Sequence, residues 1–266
     1  MKLESAHIGF PEGVLNQKHY RMPVAMGDGC FFIEKLPGFV GLQHPVSGKY
    51  PNLGEAIAMQ AKRGKPELER LGISEVHFVA GPEGDVFGPC LYACSEARAS
   101  ELRNLLGSRE IEFEYYFVTR QNEAMEPRVC ALPLARHFTE PRMLVSRQTG
   151  KKCETRFEQV ARTAGFSLFR ATTTYQRLHQ VRVHAKESGI PIAGDRRYTG
   201  HGPVNSAELN QNHRGEGRVV WPWPALWLQS VSFPWAGEQC RYQVASLPKA
   251  LRGILRKLDA MGLFEA

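Results

Sequence analysis

The sequence predicts an α+β fold with a mixed, mostly antiparallel sheet and flanking helices. Extended apolar runs come in clusters rather than alternating one for one with helices. Helical periodicity is confined to a few segments between those clusters. The chain has 266 residues, 42% hydrophobic and 23% charged. That length can bury a full core, and that composition excludes bulk disorder, collagen-like repeats and coiled coil.

Taken in order, residues 1–20 are polar and weakly patterned and read as an arm. Cys30-Phe-Phe-Ile-Glu-Lys35 reads as a strand closed by Leu36-Pro37-Gly38. Leu53, Ile57 and Ala61 recur every four residues and predict a helix. Glu75–Ala80 and Cys90–Cys94 are extended on either side of the breaker Gly81-Pro-Glu-Gly-Asp85. Ser95 is a good N-cap for a helix through Leu106, with Gly107 as its stop. Residues 111–118 alternate and then run apolar, as a strand entering a core does. Further strands are expected near 128–132, 152–160 and 166–174, and a helix over Arg177–Ser188 closed by Gly189 and Pro191. Residues 201–218 read as loop, Ala225–Phe233 and Cys240–Ala245 as an antiparallel pair, and Pro248–Met261 as an amphipathic helix.

No run of 18 apolar residues exists, so no membrane span is expected, and the N-terminal residues carry no signal-peptide pattern. The six cysteines, at 30, 90, 94, 130, 153 and 240, form no C-x-x-C pair. They are expected to be free thiols in or near the core, without a metal site.

The net charge of +7 is unevenly spread. Residues 141–200 hold 12 Lys/Arg against 4 acids, whereas the rest of the chain is close to neutral. Such concentration points to a polyanion surface, RNA or DNA first, or to a solvated basic face. Within that region, on a helix, His179, Arg182 and Lys186 share one face, and Gln180 and His184 the adjacent one. That surface suits phosphates and base edges, or is an exposed basic helix with one satisfied histidine.

This segment resembles the second signature of RluA-type RNA pseudouridine synthases, T-G-R-T-H-Q-I-R-V-H followed by G-x-P-I-x-G-D-x-x-Y-G. Arg177, His179, Gln180, Arg182, Val183, His184, Gly189, Pro191, Gly194, Asp195 and Tyr198 match, whereas Tyr175-Gln176 and Leu178 depart. Asp28–Gly38 resembles the family's opening strand and N-K-P-x-G turn, and Ala225–Leu247 its closing strand pair. The resemblance implies an extension over 1–21 and, over 22–266, a pseudouridine synthase fold with a central cleft, lacking the small upstream RNA-binding domain of many relatives.

The resemblance also implies a function: isomerising uridine to pseudouridine in ribosomal or transfer RNA, on a flipped-out nucleotide and with no cofactor. It implies a monomer working in the cytoplasm, with neither membrane nor metal as partner. Arg182 stands at the family's arginine, and Tyr115, in Phe113-Glu114-Tyr115, at its tyrosine. Where relatives read H-R-L-D, an ungapped match reads Ala80-Gly81-Pro82-Glu83. The catalytic carboxylate then falls to Glu83, or to Asp85 two residues on; a match anchored on His77 puts Ala80 there. The expected RNA-binding residues are Arg177, His179, Gln180, His184, Lys186, Arg196 and Arg197. The alternative is an inactive descendant that keeps the cleft as an RNA-binding or ribosome-assembly module.

Overall fold

The computed structural model describes residues 3–42, 50–163, 165–210 and 217–264. Their contacts form two compact units, Met1–Phe113 with Leu228–Gln243, and Glu114–Trp227 with Val244–Ala266.

The first unit is built on an antiparallel sheet of β1 (Glu4–Phe10), β2 (Tyr20–Met26), β3 (Cys30–Lys35), β4 (His77–Ala80) and β5 (Gly88–Ala93), in the order β1-β2-β3-β5-β4. β3 and β5 are buried at every position, so they are mainly apolar, and the two charged residues that end β3, Glu34 and Lys35, are buried as well. The N-terminal residues read as an arm contain β1, which pairs with β2. Ile8 and Phe10 alternate into the core, and their polar neighbours face out. α1 (Leu53–Lys62) starts at Asn52, whose side chain accepts from Glu55 N, and α2 (Pro66–Arg70) follows it.

α3 (Glu96–Ser108) has the expected Ser95 cap but runs through Gly107. It stops at Arg109, which takes the left-handed conformation itself at φ 68°. Gly88, at φ 146°, is a required glycine: a Cβ there would come within 2.6 Å of Leu228 O.

The second unit holds β6 (Glu112–Thr119), β7 (Arg128–Cys130), β8 (Leu134–Arg136), β9 (Met143–Val145), β10 (Thr155–Arg162) and β11 (Ser167–Thr173). β6, β11, β10 and β7 lie side by side in that order, whereas β8 and β9 form a separate hairpin that the sequence did not announce. One face of β6 packs Phe117 flat on Phe169 and edge-on to Phe157, and the other stacks Tyr116 on Trp227. α4 (Gln180–Glu187) and α5 (Arg196–Thr199) follow. The expected loop over 201–218 contains β12 (Val204–Asn205) and α6 (Ser206–Leu209), and β12 pairs with β13 (Val219–Trp221). Residues 211–216 of it lie outside the described residues.

The chain closes with the antiparallel pair β14 (Leu226–Trp235) and β15 (Glu238–Gln243), then α7 (Lys249–Lys257), which buries Leu251, Ile254 and Leu255. Among the described residues no helix is long and apolar enough to cross a membrane. All six cysteines are free, and all but Cys94 are buried.

Candidate functional site

α4 begins abruptly. His179 sits in the left-handed region at φ 53°, so the helix starts at Gln180 rather than at Arg177. Its residues 180–185 are all buried. This corrects the expectation of an exposed, donor-rich helix. Gln180 Nε2 lies 2.9 Å from Glu154 O, 3.0 Å from Thr155 Oγ1 and 2.9 Å from Thr173 Oγ1. Its Oε1 accepts from Arg177 N. His184 Nε2 donates to Leu132 O at 2.8 Å, leaving Nδ1 to accept from Thr155 Oγ1 at 2.9 Å. Burial pushes the His184 pKa below its ordinary value, in keeping with this neutral tautomer. The two side chains therefore brace α4 against the start of β10 and the end of β11 and are spent inside the protein.

Arg182 is the centre of the arrangement. It is 1% exposed and forms a doubly hydrogen-bonded pair with Asp195, Nε to Oδ2 at 2.8 Å and Nη2 to Oδ1 at 2.6 Å. The guanidinium also lies over the Tyr198 ring, 5.2 Å from its centroid. Tyr198 OH accepts from Met143 N and contacts His179 Nδ1 at 2.6 Å, so His179 is buried as a prop for this phenol. The sequence names Asp195 only as a match to the family signature; that it pairs with Arg182 emerges from the fold.

Tyr115 is 5% exposed and lies on β6 with the parity of Phe113 and Phe117. Three residues on, a backbone knot fixes the strand. Val118 N donates to Ala225 O, Ala225 N to Ala193 O, and Ala193 N to Val118 O, each at 2.8 Å. Asp195 is two residues beyond Ala193. The segment that holds the guanidinium is thus bonded to the strand that carries the phenol, about 10 Å along it from Tyr115.

Glu83 and Asp85 lie in the first unit, half-buried, in the turn between β4 and β5. Val86 N donates to Glu83 O, and Gly38 N to Gly84 O at 2.8 Å, so the Leu-Pro-Gly turn after β3 holds this turn in place. Lys35 completes the clamp and was also absent from the sequence expectations. It is fully buried and donates to Val86 O at 2.6 Å. Burial pushes its pKa down to about 8, against the opposing influence of Cys90, Asp85 and Glu83.

Of the remaining expected RNA contacts, Lys186, Arg196 and Arg197 are exposed and Arg177 is half-buried. Among the described residues no cluster of three or more His, Cys, Asp or Glu has a metal-holding arrangement.

Comparison with known proteins follows the same lines. The family described as RNA pseudouridylate synthase matches residues 84–187, a span that contains Asp85, Tyr115 and Arg182. Ribosomal large subunit pseudouridine synthase C of Haemophilus influenzae is 28% identical over 235 residues, 87% of this chain and 67% of that protein. Its Escherichia coli counterpart is 28% identical over 176 residues, 65% of this chain. The chain spans only about half, 53%, of that relative's length. Human RNA Pseudouridylate Synthase Domain Containing 4 shares the fold, with a TM-score of 0.67 at 16% identity over 88% of this chain and 92% of its own. Human RNA Pseudouridylate Synthase Domain Containing 1 gives 0.59 at 16% identity, over 92% and 90%. Over residues 84–187 the chain is thus similar in sequence to the RNA pseudouridylate synthase family, and it shares the fold of pseudouridylate synthase domains.

Proposed function

We propose that the chain isomerises uridine to pseudouridine in RNA, with ribosomal RNA as the first substrate class to test and transfer RNA as the second. The C1′–N1 bond of the nucleoside breaks, the uracil turns, and a C1′–C5 bond forms. C5 loses a proton and N1 gains one, so the balance closes without a cofactor. Glu83 or Asp85 supplies the carboxylate for glycosidic cleavage, Tyr115 packs on the base and takes the C5 proton, and Arg182, its charge balanced by Asp195, holds rigid the segment bonded to the Tyr115 strand.

The observation that carries this reading is the state of Arg182. A guanidinium taken out of water costs several kcal/mol unless it is paired. Here Asp195, the Tyr198 ring and the bracing of α4 hold one rigidly, on the motif that matches the family. The ribosomal preference rests on the names of the bacterial relatives.

The test is pseudouridine formation on total RNA by purified wild type, Glu83→Gln, Asp85→Asn and Tyr115→Phe. The expected result is product from wild type and its loss with one of the carboxylate variants. Product that survives both carboxylate substitutions overturns the carboxylate assignment. No product from wild type, with RNA binding intact, replaces the enzyme by an RNA-binding module.

A further inference from the structure

The β8–β9 hairpin carries a feature that the reaction does not use. Phe138, at its tip, is 98% exposed, the most exposed large hydrophobic side chain among the described residues. An isolated exposed phenylalanine on a floppy loop says little. This loop is tightly built. His137 N donates to Arg142 O at 2.9 Å, and Arg142 N to Glu140 O at 2.8 Å. His137 Nδ1 accepts from both Thr139 N and Glu140 N. The Arg142 guanidinium lies 2.6 Å from the Glu140 carboxylate. Arg197 reaches across from α5 to Pro141 O.

The base of the hairpin is equally fixed. Leu134, Met143 and Val145 pack with Val183 of α4 and with Tyr198. Met143 N donates to the Tyr198 phenol, whose ring underlies Arg182. The finger and the guanidinium are therefore parts of one braced block. Exposed cations flank the hairpin: Arg136 and Arg197 lie next to the tip, Arg196 beside Arg197 on α5, and Arg147, Lys151 and Lys152 toward the open end. A lone ring among positive charges is a poor docking patch for a protein, which needs contiguous apolar area. It is the combination used to hold single-stranded nucleic acid, aromatic faces for bases and cations for the backbone.

We propose that Phe138 is a stacking platform for an unpaired RNA base, so that the substrate must present a single-stranded nucleotide at this hairpin. This rests on the RNA reading above and adds a requirement on substrate shape. The experiment measures binding of a fluorescein-labelled oligouridine and of a duplex RNA of equal length to wild type, Phe138→Ala, Phe138→Leu and Phe138→Trp. Oligouridine affinity is expected to fall about tenfold in Phe138→Ala and in Phe138→Leu and to stay at the wild-type level in Phe138→Trp, with duplex affinity unchanged throughout. Wild-type affinity in Phe138→Ala overturns the platform and leaves the RNA reading standing. Wild-type affinity in Phe138→Leu marks an ordinary apolar contact, such as one made to a protein, and also overturns it. An equal loss on duplex overturns the single-strand requirement. A wild-type protein that binds neither RNA overturns the platform and the RNA reading together.

Discussion

Arg182 and Asp195, thirteen residues apart, form an ion pair in which each side chain is 1% exposed, joined by two hydrogen bonds of 2.6 and 2.8 Å. Removing one partner of such a pair strands the other charge. Asp195→Ala is expected to lower the unfolding free energy by about 3–5 kcal/mol in urea titration. The double replacement Arg182→Met with Asp195→Leu is expected to cost less than Asp195→Ala alone. Near-neutral behaviour of Asp195→Ala would remove this pair as the anchor of the block.

His184 makes stability depend on acidity. Its folded pKa lies below the unfolded one because burial disfavours the imidazolium. Above an unfolded pKa of about 6.5 both states are neutral and the contribution is complete. As pH falls through that value the unfolded chain takes up a proton that the folded chain refuses, and stability is lost. Thermal melts between about pH 7.5 and 5.5 are expected to fall more steeply for wild type than for His184→Asn. Parallel curves would show that this ring does not set the slope.

Lys35 works at the alkaline end. Its pKa is lowered from 10.5 to about 8 in the folded protein. Between those values the unfolded chain holds the proton and the folded chain releases it, so this residue's contribution to stability rises with pH across the window. Below about 8 both states are charged and the penalty of the buried ammonium is present in full. Lys35→Met is expected to abolish the rise, read as the difference between denaturation midpoints at the two ends of the window.

The exposed cations are expected to govern RNA affinity rather than folding. Lys186→Glu and Arg196→Glu are expected to leave the melting temperature in place and weaken RNA binding. Each is expected to reduce the slope of log affinity against log salt by about one if it contacts a phosphate. Binding indifferent to salt would rule out this surface.

Much of the framework is legible in the sequence because local signals and the fold agree. Cys30–Lys35 opens on the apolar run Cys-Phe-Phe-Ile and is central in its sheet, Ser95 caps α3 as read, and the β14–β15 pair falls where the apolar runs and turn residues put it. β1 and the β8–β9 hairpin are not legible. The first is a polar edge strand anchored by Ile8 and Phe10 alone, and the second has only three residues per strand. Tyr115 and Arg182 are named from the motif alone, and their part in the reaction rests on the proposal above. The roles of Gln180 and His184 are misread, because polar residues on a basic helix default to the solvent side. Here Glu154, Thr155 and Thr173 wait behind them. Lys35 escapes because its acceptor, Val86 O, is remote in sequence, and the Arg182–Asp195 pair, though only thirteen residues apart, emerges only once α4 and the turn that follows it are folded.

The reversed backbone hand at His179 constrains what mutation can explore. A left-handed residue is cheap for glycine or asparagine and costly for most others, yet here an imidazole occupies it and meets a phenol. Glycine or asparagine at 179 would relieve the backbone and give up the contact with the phenol, so the two effects on folding oppose each other. The melting temperatures of His179→Gly and His179→Asn against wild type would read which of the two is larger.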